Sequence, residues 1–160
     1  ERWFFTLVLT YVARCVATGL PNSIEVPLLE VKTGFFRLEF YRQQYPISFA
    51  NFPMGGTPDF NTTTSKLQFS SADFDNWGFA GNFGLRITGT ISLSPGLYEF
   101  FTTSDDGSIM YLDDMEVVNN DGRHGPTTRR ALFRVDQTRQ AALRIMYFQG
   151  TGGKVLIAGS

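Results

Sequence analysis

The sequence predicts an all-β fold, an antiparallel β-sandwich of jelly-roll-like type, and three observations carry that reading. Aromatic residues are abundant, with 16 Phe, 6 Tyr and 2 Trp, and they stand beside 16 Gly and 7 Pro; this is the composition of short strands cut by turns. Apolar and polar residues alternate with a period of two in several segments. Seven or more such segments follow one another with turn signals between them, the spacing of a sandwich or barrel. At 160 residues the chain has length for one core.

The elements follow in order. Phe36, Leu38 and Phe40 alternate with Arg37, Glu39 and Tyr41, which predicts a strand with one buried face. From Ser48 to Ser65 the chain carries Pro53, Gly55, Gly56, Pro58 and a threonine run, and reads as surface loops. Leu85 to Leu93 alternates cleanly, Ser94-Pro95-Gly96 turns, and Leu97 to Thr103 returns as the second arm of a hairpin. Ile109 to Leu112 and Met115 to Val118 are joined by Asp113-Asp114, in the place of a two-residue hairpin turn. Asn119 to Thr128 is polar and turn-rich; Ala131 to Val135, Ala141 to Phe148 and Lys154 to Ala158 are three further strands.

The first 31 residues are set apart from the domain proper, which spans 32–160. Trp3 to Ala13 is apolar but too short to cross a bilayer. It has the length of a signal-peptide core, with Cys15-Val16-Ala17 as the small residues of a cleavage site. Its β-branched and aromatic content fits an added buried strand equally well. Gly19 to Pro27 is a connector.

Composition also excludes function classes. Fourteen basic and fifteen acidic residues give a net charge of −1, with no basic run; nucleic acid is therefore not an expected partner. Cys15 is the single cysteine and His124 the single histidine, so neither an internal disulfide nor a cysteine- or histidine-built metal site is available. Metal chemistry here means oxygen ligands.

The place for them is Ser104-Asp105-Asp106-Gly107. Neighbouring side chains of a strand point to opposite faces, so two adjacent aspartates share an ion only where the backbone turns one of them. A cis peptide does so by drawing successive Cα atoms to about 2.9 Å. Calcium takes about six to eight oxygens, and two carboxylates supply only part of that shell. The Gln149 amide oxygen and the main-chain carbonyls of Thr151 and Gly153, in the loop between the last two strands, are candidates for the rest. The plain alternative is a structural turn, for which Asp-Asp-Gly is common. His124, between Arg123 and Gly125, is placed to contact a ligand or to cap a loop. Trp77 is a candidate for stacking on a sugar ring, with the core as its alternative fate. Asn61-Thr62-Thr63 matches an N-glycosylation acceptor.

Ser94 to Ser108 followed by Tyr111-Leu112-Asp113-Asp114, then Val117-Val118-Asn119-Asn120, His124-Gly125 and Ile145 to Gly153, resembles in order the motifs of PA14 domains over residues 33 to 158. The resemblance implies a β-sandwich. In lectin-like members, such as flocculin and adhesin domains, paired aspartates joined by a cis peptide hold calcium, and calcium contacts vicinal sugar hydroxyls. Carried over, the pair is Asp105 and Asp106, the amide ligand is Gln149 where flocculins carry Asn, and the carbonyls are those near Thr151 and Gly153. The implied function is calcium-dependent glycan binding in adhesion, by a non-catalytic module of a larger protein that is secreted or displayed at the cell surface. Two other roles remain open within the family: a structural or protein-interaction domain without sugar binding, and a targeting module of a carbohydrate-active enzyme.

Overall fold

The structure is a computed structural model and describes residues 35–42, 48–51 and 54–160. The expectations for residues 1–31, signal-like or added strand, lie outside the described residues, as does the boundary at residue 32.

Ten strands are present among the described residues: β1 Phe36–Arg42, β2 Phe60–Thr64, β3 Gln68–Ser70, β4 Phe83–Leu93, β5 Gly96–Asp105, β6 Ser108–Leu112, β7 Met115–Asn120, β8 Thr127–Val135, β9 Arg139–Gln149 and β10 Val155–Gly159. One helix, α1 (Ser71–Asn76), follows β3 directly. The strands form two antiparallel sheets, one of six in the order β2-β1-β4-β9-β6-β7 and one of four in the order β3-β10-β5-β8. The all-β antiparallel expectation holds.

The core lies between the sheets. The hairpin β4–β5 does not stay in one layer: β4 pairs with β9 from Phe83↔Gln149 to Leu93↔Arg139, whereas β5 pairs with β8 and β10 in the other sheet. Alternation on β5 sends Tyr98 and Phe100 inward and on β4 Leu85, Ile87, Ile91 and Leu93. Phe40 stacks on Phe79 with centroids 4.5 Å apart, and Phe74 on Tyr147 at 5.4 Å. These aromatic contacts fill the end of the sandwich near α1.

Two expectations need correction. β1 is buried on both faces, not one: Glu39 is 7% exposed and Tyr41 6%. The cause is Arg86 on the neighbouring strand, whose Nε donates to Glu39 Oε2 at 2.7 Å and whose Nη2 donates to the Tyr41 hydroxyl at 2.7 Å. The second concerns Ser48 to Ser65, read as loops. It contains a short 3₁₀ turn, Phe49–Asn51, and the whole of β2. β2 is an edge strand whose outward residues Asn61 and Thr63 are exposed and whose other face carries the half-buried Thr62 and Thr64, so it shows little of the apolar alternation by which strands are read.

α1 opens where Ser70 donates from its backbone N and its hydroxyl to Asp73 Oδ2, at 2.8 and 2.9 Å. This ties the first turn together and buries Phe74 completely. No helix of the described residues is long and apolar enough to cross a membrane.

Candidate functional site

Between β5 and β6 the chain passes from the four-stranded sheet to the six-stranded one, and Asp105, Asp106 and Gly107 make that passage. The Asp105–Asp106 peptide is cis. Asp106, 5% exposed, is held by main-chain donors: Gly150 N–H to Oδ2 at 2.8 Å and His124 N–H to Oδ1 at 3.2 Å. Asp105 Oδ2 lies against the Gly153 backbone, 3.3 Å from where a Cβ at Gly153 would be, and a Cβ at Gly150 would lie 3.2 Å from Asp106 Oδ2. Both carboxylates therefore face the 150–153 loop. Burial pushes the Asp105 carboxyl above its ordinary value, the neighbouring Asp106 adds to the rise, and His124 opposes it.

Gly107 owes its place to close approach. A Cβ there would collide with the Phe148 ring and stand 2.9 Å from Gly122 O. Its φ is not in the left-handed region, so close packing and not backbone freedom calls for glycine here.

Gln149, at the end of β9, is not an exposed loop residue. It is fully buried. The Tyr147 Oη stands 2.6 Å from Asp105 O and 2.8 Å from Gln149 Oε1, while Gln149 Nε2 is buried with no partner. Tyr147 is itself fully buried, and burial first, then Asp105 and Asp106, push its ionisation well above the ordinary tyrosine value. Thr151 and Gly153 are exposed, and Gly152 between them takes φ of 106°.

The other candidates fall in different places. His124 packs beside the pair, but both ring nitrogens meet main-chain carbonyls, Nδ1 with Gly125 O at 2.9 Å and Nε2 with Asn120 O at 3.0 Å. Its ring caps the 120–125 loop, and its backbone serves Asp106. Trp77 lies at the end of α1 against the rings of Phe40, Phe69 and Phe74. Its ring is part of the aromatic cluster. Asn61 is exposed on edge strand β2. Asp113 and Asp114 form the β6–β7 turn at φ of 48° and 64° and pair with Arg139 and Arg144.

Sequence reasoning missed a polar chain beneath the pair. Asn120 Nδ2 donates to Thr127 O at 2.9 Å and to Ser104 Oγ at 3.0 Å, Ser104 and Ser108 hydroxyls meet at 2.7 Å, and Ser108 donates to Thr102 Oγ1 at 2.9 Å. Thr102, Ser104 and Ser108 are fully buried. The signal was available: Thr102 and Ser104 continue the inward parity of Tyr98 and Phe100, so polar residues were entering the core. Asn82, in the loop that donates from Asn82 N to Gly150 O at 2.7 Å, also has a buried, unpartnered Oδ1.

On the outer face of the four-stranded sheet a groove of about 330 Å³ runs past Gln68, Ser70, Val155 and Ile157, with Lys66 and Asp73 in its lining. Val155 pairs with Ser70 on one side and Asp105 on the other. Directly paired residues share a face, so the groove adjoins Asp105.

With this geometry in place, the comparisons identify the class. The chain belongs to the PA14 domain family, whose model matches residues 36–158. Among solved structures it is similar to the PA14 domain of the antifreeze protein MpAFP (TM-score 0.66, 16% identity, covering 90% of this chain and 86% of that one). It is also similar to a PA14 sugar-binding domain from an RTX adhesin (0.63, 17%, 78% and 88%). A third is the Epithelial Adhesin 9 A domain from Candida glabrata, in complex with Galb1-4GlcNAc (0.58, 12%, 93% and 87%). At these identities the likeness is one of fold. No curated protein matches the chain in sequence.

Proposed function

We propose that this domain binds glycans through a calcium ion held by Asp105 and Asp106, outside the cell or at its surface, as a non-catalytic module of a larger protein. The observation that carries the reading is the acidic pair itself. Two carboxylates face one loop, burial and then the neighbouring Asp106 raise Asp105, and the described residues contain no group of three acidic or histidine ligands that could hold a metal ion. That oxygen-rich pair, with the Arg123 guanidinium packed at Gly150 beside it, suits a hard cation that takes carbonyls for the remainder of its shell. Gln149 fits as well: it is a buried amide joined to Asp105 O through the Tyr147 hydroxyl, with one end unpartnered among the described residues. The carbonyls of Thr151 and Gly153 would complete the protein's share, and sugar hydroxyls would take the open positions. Calcium, when bound, supplies the charge that orders these hydroxyls; Asp106 stays fixed by Gly150 and His124, and further sugar units would lie in the outer groove that adjoins Asp105.

Two of the named neighbours are described by what they bind, as a sugar-binding domain and as a domain in complex with Galb1-4GlcNAc, which favours glycan binding over a purely structural role. Asn61 is exposed and would accept an N-glycan in a secretory setting. The deciding experiment is a glycan array with and without chelator, beside calorimetric titration with calcium. Wild type is expected to take up one calcium ion and to bind glycans only in its presence, and Asp105→Asn with Asp106→Asn to lose both. Glycan binding that survives chelation sinks the calcium reading.

A further inference from the structure

A carboxamide has two ends of the same size, and its hydrogen-bond partners decide which is oxygen and which nitrogen. Around Gln149 those partners are explicit. The Tyr147 hydroxyl owns one proton. Asp105 O, 2.6 Å away, can only accept, so the proton goes there. The second contact of the hydroxyl, 2.8 Å from the carboxamide, therefore needs a donor on the Gln149 side. Oxygen at that position sets acceptor against acceptor, and it leaves the Nε2 protons buried with no acceptor. Rotating the carboxamide by half a turn removes the first fault and eases the second: Nε2 donates one proton to Tyr147, and Oε1, an acceptor that a cation can satisfy, takes the buried, unpartnered place.

We propose that Tyr147 is the positioning residue of the cation site: its hydroxyl donates to Asp105 O, accepts from Gln149 Nε2, and so presents the Gln149 oxygen to the ion. The ring is well suited to hold that geometry. It is fully buried, lies parallel to Phe74 at 5.4 Å, and meets Phe83 edge-on at 5.9 Å. One hydroxyl thus couples the backbone of an aspartate ligand to the orientation of an amide ligand 44 residues later in the chain, which is what outer groups do for the ligands of a metal. The inference rests on the calcium reading above.

A double-mutant cycle tests it, with calcium affinity measured by calorimetry on folded protein. Tyr147→Phe keeps the ring and is expected to weaken calcium about ten- to a hundredfold; Gln149→Met removes the amide. If Tyr147 acts through Gln149, the double variant binds calcium about as weakly as Gln149→Met alone. Calcium affinity unchanged in Tyr147→Phe, or effects that simply multiply, overturns the role while the calcium reading stands. A wild type that binds no calcium overturns that reading and this one with it. Should Tyr147→Phe not fold, the calcium-free wild type still decides: its Gln149 side-chain amide protons are expected to show a nuclear Overhauser cross-peak to the Tyr147 hydroxyl or ring-edge protons, and absence of that peak overturns the orientation.

Discussion

Gly107 and Phe148 are packed so closely that the ring occupies the space of a side chain at residue 107. Phe148 cannot retreat easily, since it is fully buried and Phe49 meets its ring edge-on at 5.1 Å; on the other side stands Gly122 O. Gly107→Ala is accordingly expected to cost about 1–3 kcal/mol in a denaturant or thermal melt. Trimming the ring should recover part of it, so Gly107→Ala with Phe148→Leu should melt above what the two single losses predict. Additive losses would show that the ring is not the obstacle.

The acidic pair carries a stability cost when no cation is bound. Burial and Asp106 raise Asp105, which means that the folded state disfavours its charge at neutral pH. Asp105→Asn in chelator is expected to melt above wild type, because it removes the charge that the folded state disfavours. Adding calcium should reverse the order, because only the wild type gains from binding. A variant less stable than wild type in chelator would count against this electrostatic account.

Asp73 gives the opposite sign. The Lys66 amine at 2.7 Å, then the Ser70 backbone N–H, hold its carboxyl below the ordinary value. A depressed carboxyl contributes stability above the unfolded value of 3.8, and that contribution is lost as pH falls through the folded value. Asp73→Asn should be less stable than wild type at pH 7, and its melting curve should converge with that of wild type in acid. A gap that stays constant down to pH 2 would contradict this.

If the domain binds glycans as proposed, the groove past Gln68 and Ile157 is where the outer units of a long ligand would lie. Gln68→Ala should leave affinity for a monosaccharide unchanged and weaken an oligosaccharide about three- to tenfold, the worth of one hydrogen bond. Equal loss on both ligands would place the effect at the ion instead.

How much of this was legible beforehand depends on where each residue's partners lie in the chain. The long core strands were readable because alternation is local: Leu85 to Leu93 and Ala141 to Phe148 carry their own pattern. β2 was not, because an exposed edge needs little apolar alternation, and β8 begins at Thr127 inside a stretch that reads as polar turn. The Asp105-Asp106 motif stood out by spacing and by resemblance. The burial of Gln149 did not, since it follows from pairing with Phe83 on β4, 66 residues earlier. For the same reason Glu39 and Tyr41 looked solvent-facing: their cover is Arg86, on another strand. Trp77 and His124 are cases where a residue type suited to ligand contact has its ring engaged by the protein itself.

Asp105 closes a strand of one sheet and Gln149 closes a strand of the other, and β5, β6, β9 and β10 all lie inside their sheets, with a partner on either side. A ligand gripped between those two residues is fastened to both layers at once. A pull on it would be shared between two hydrogen-bonded sheets, with no free edge at which a single strand could begin to unzip.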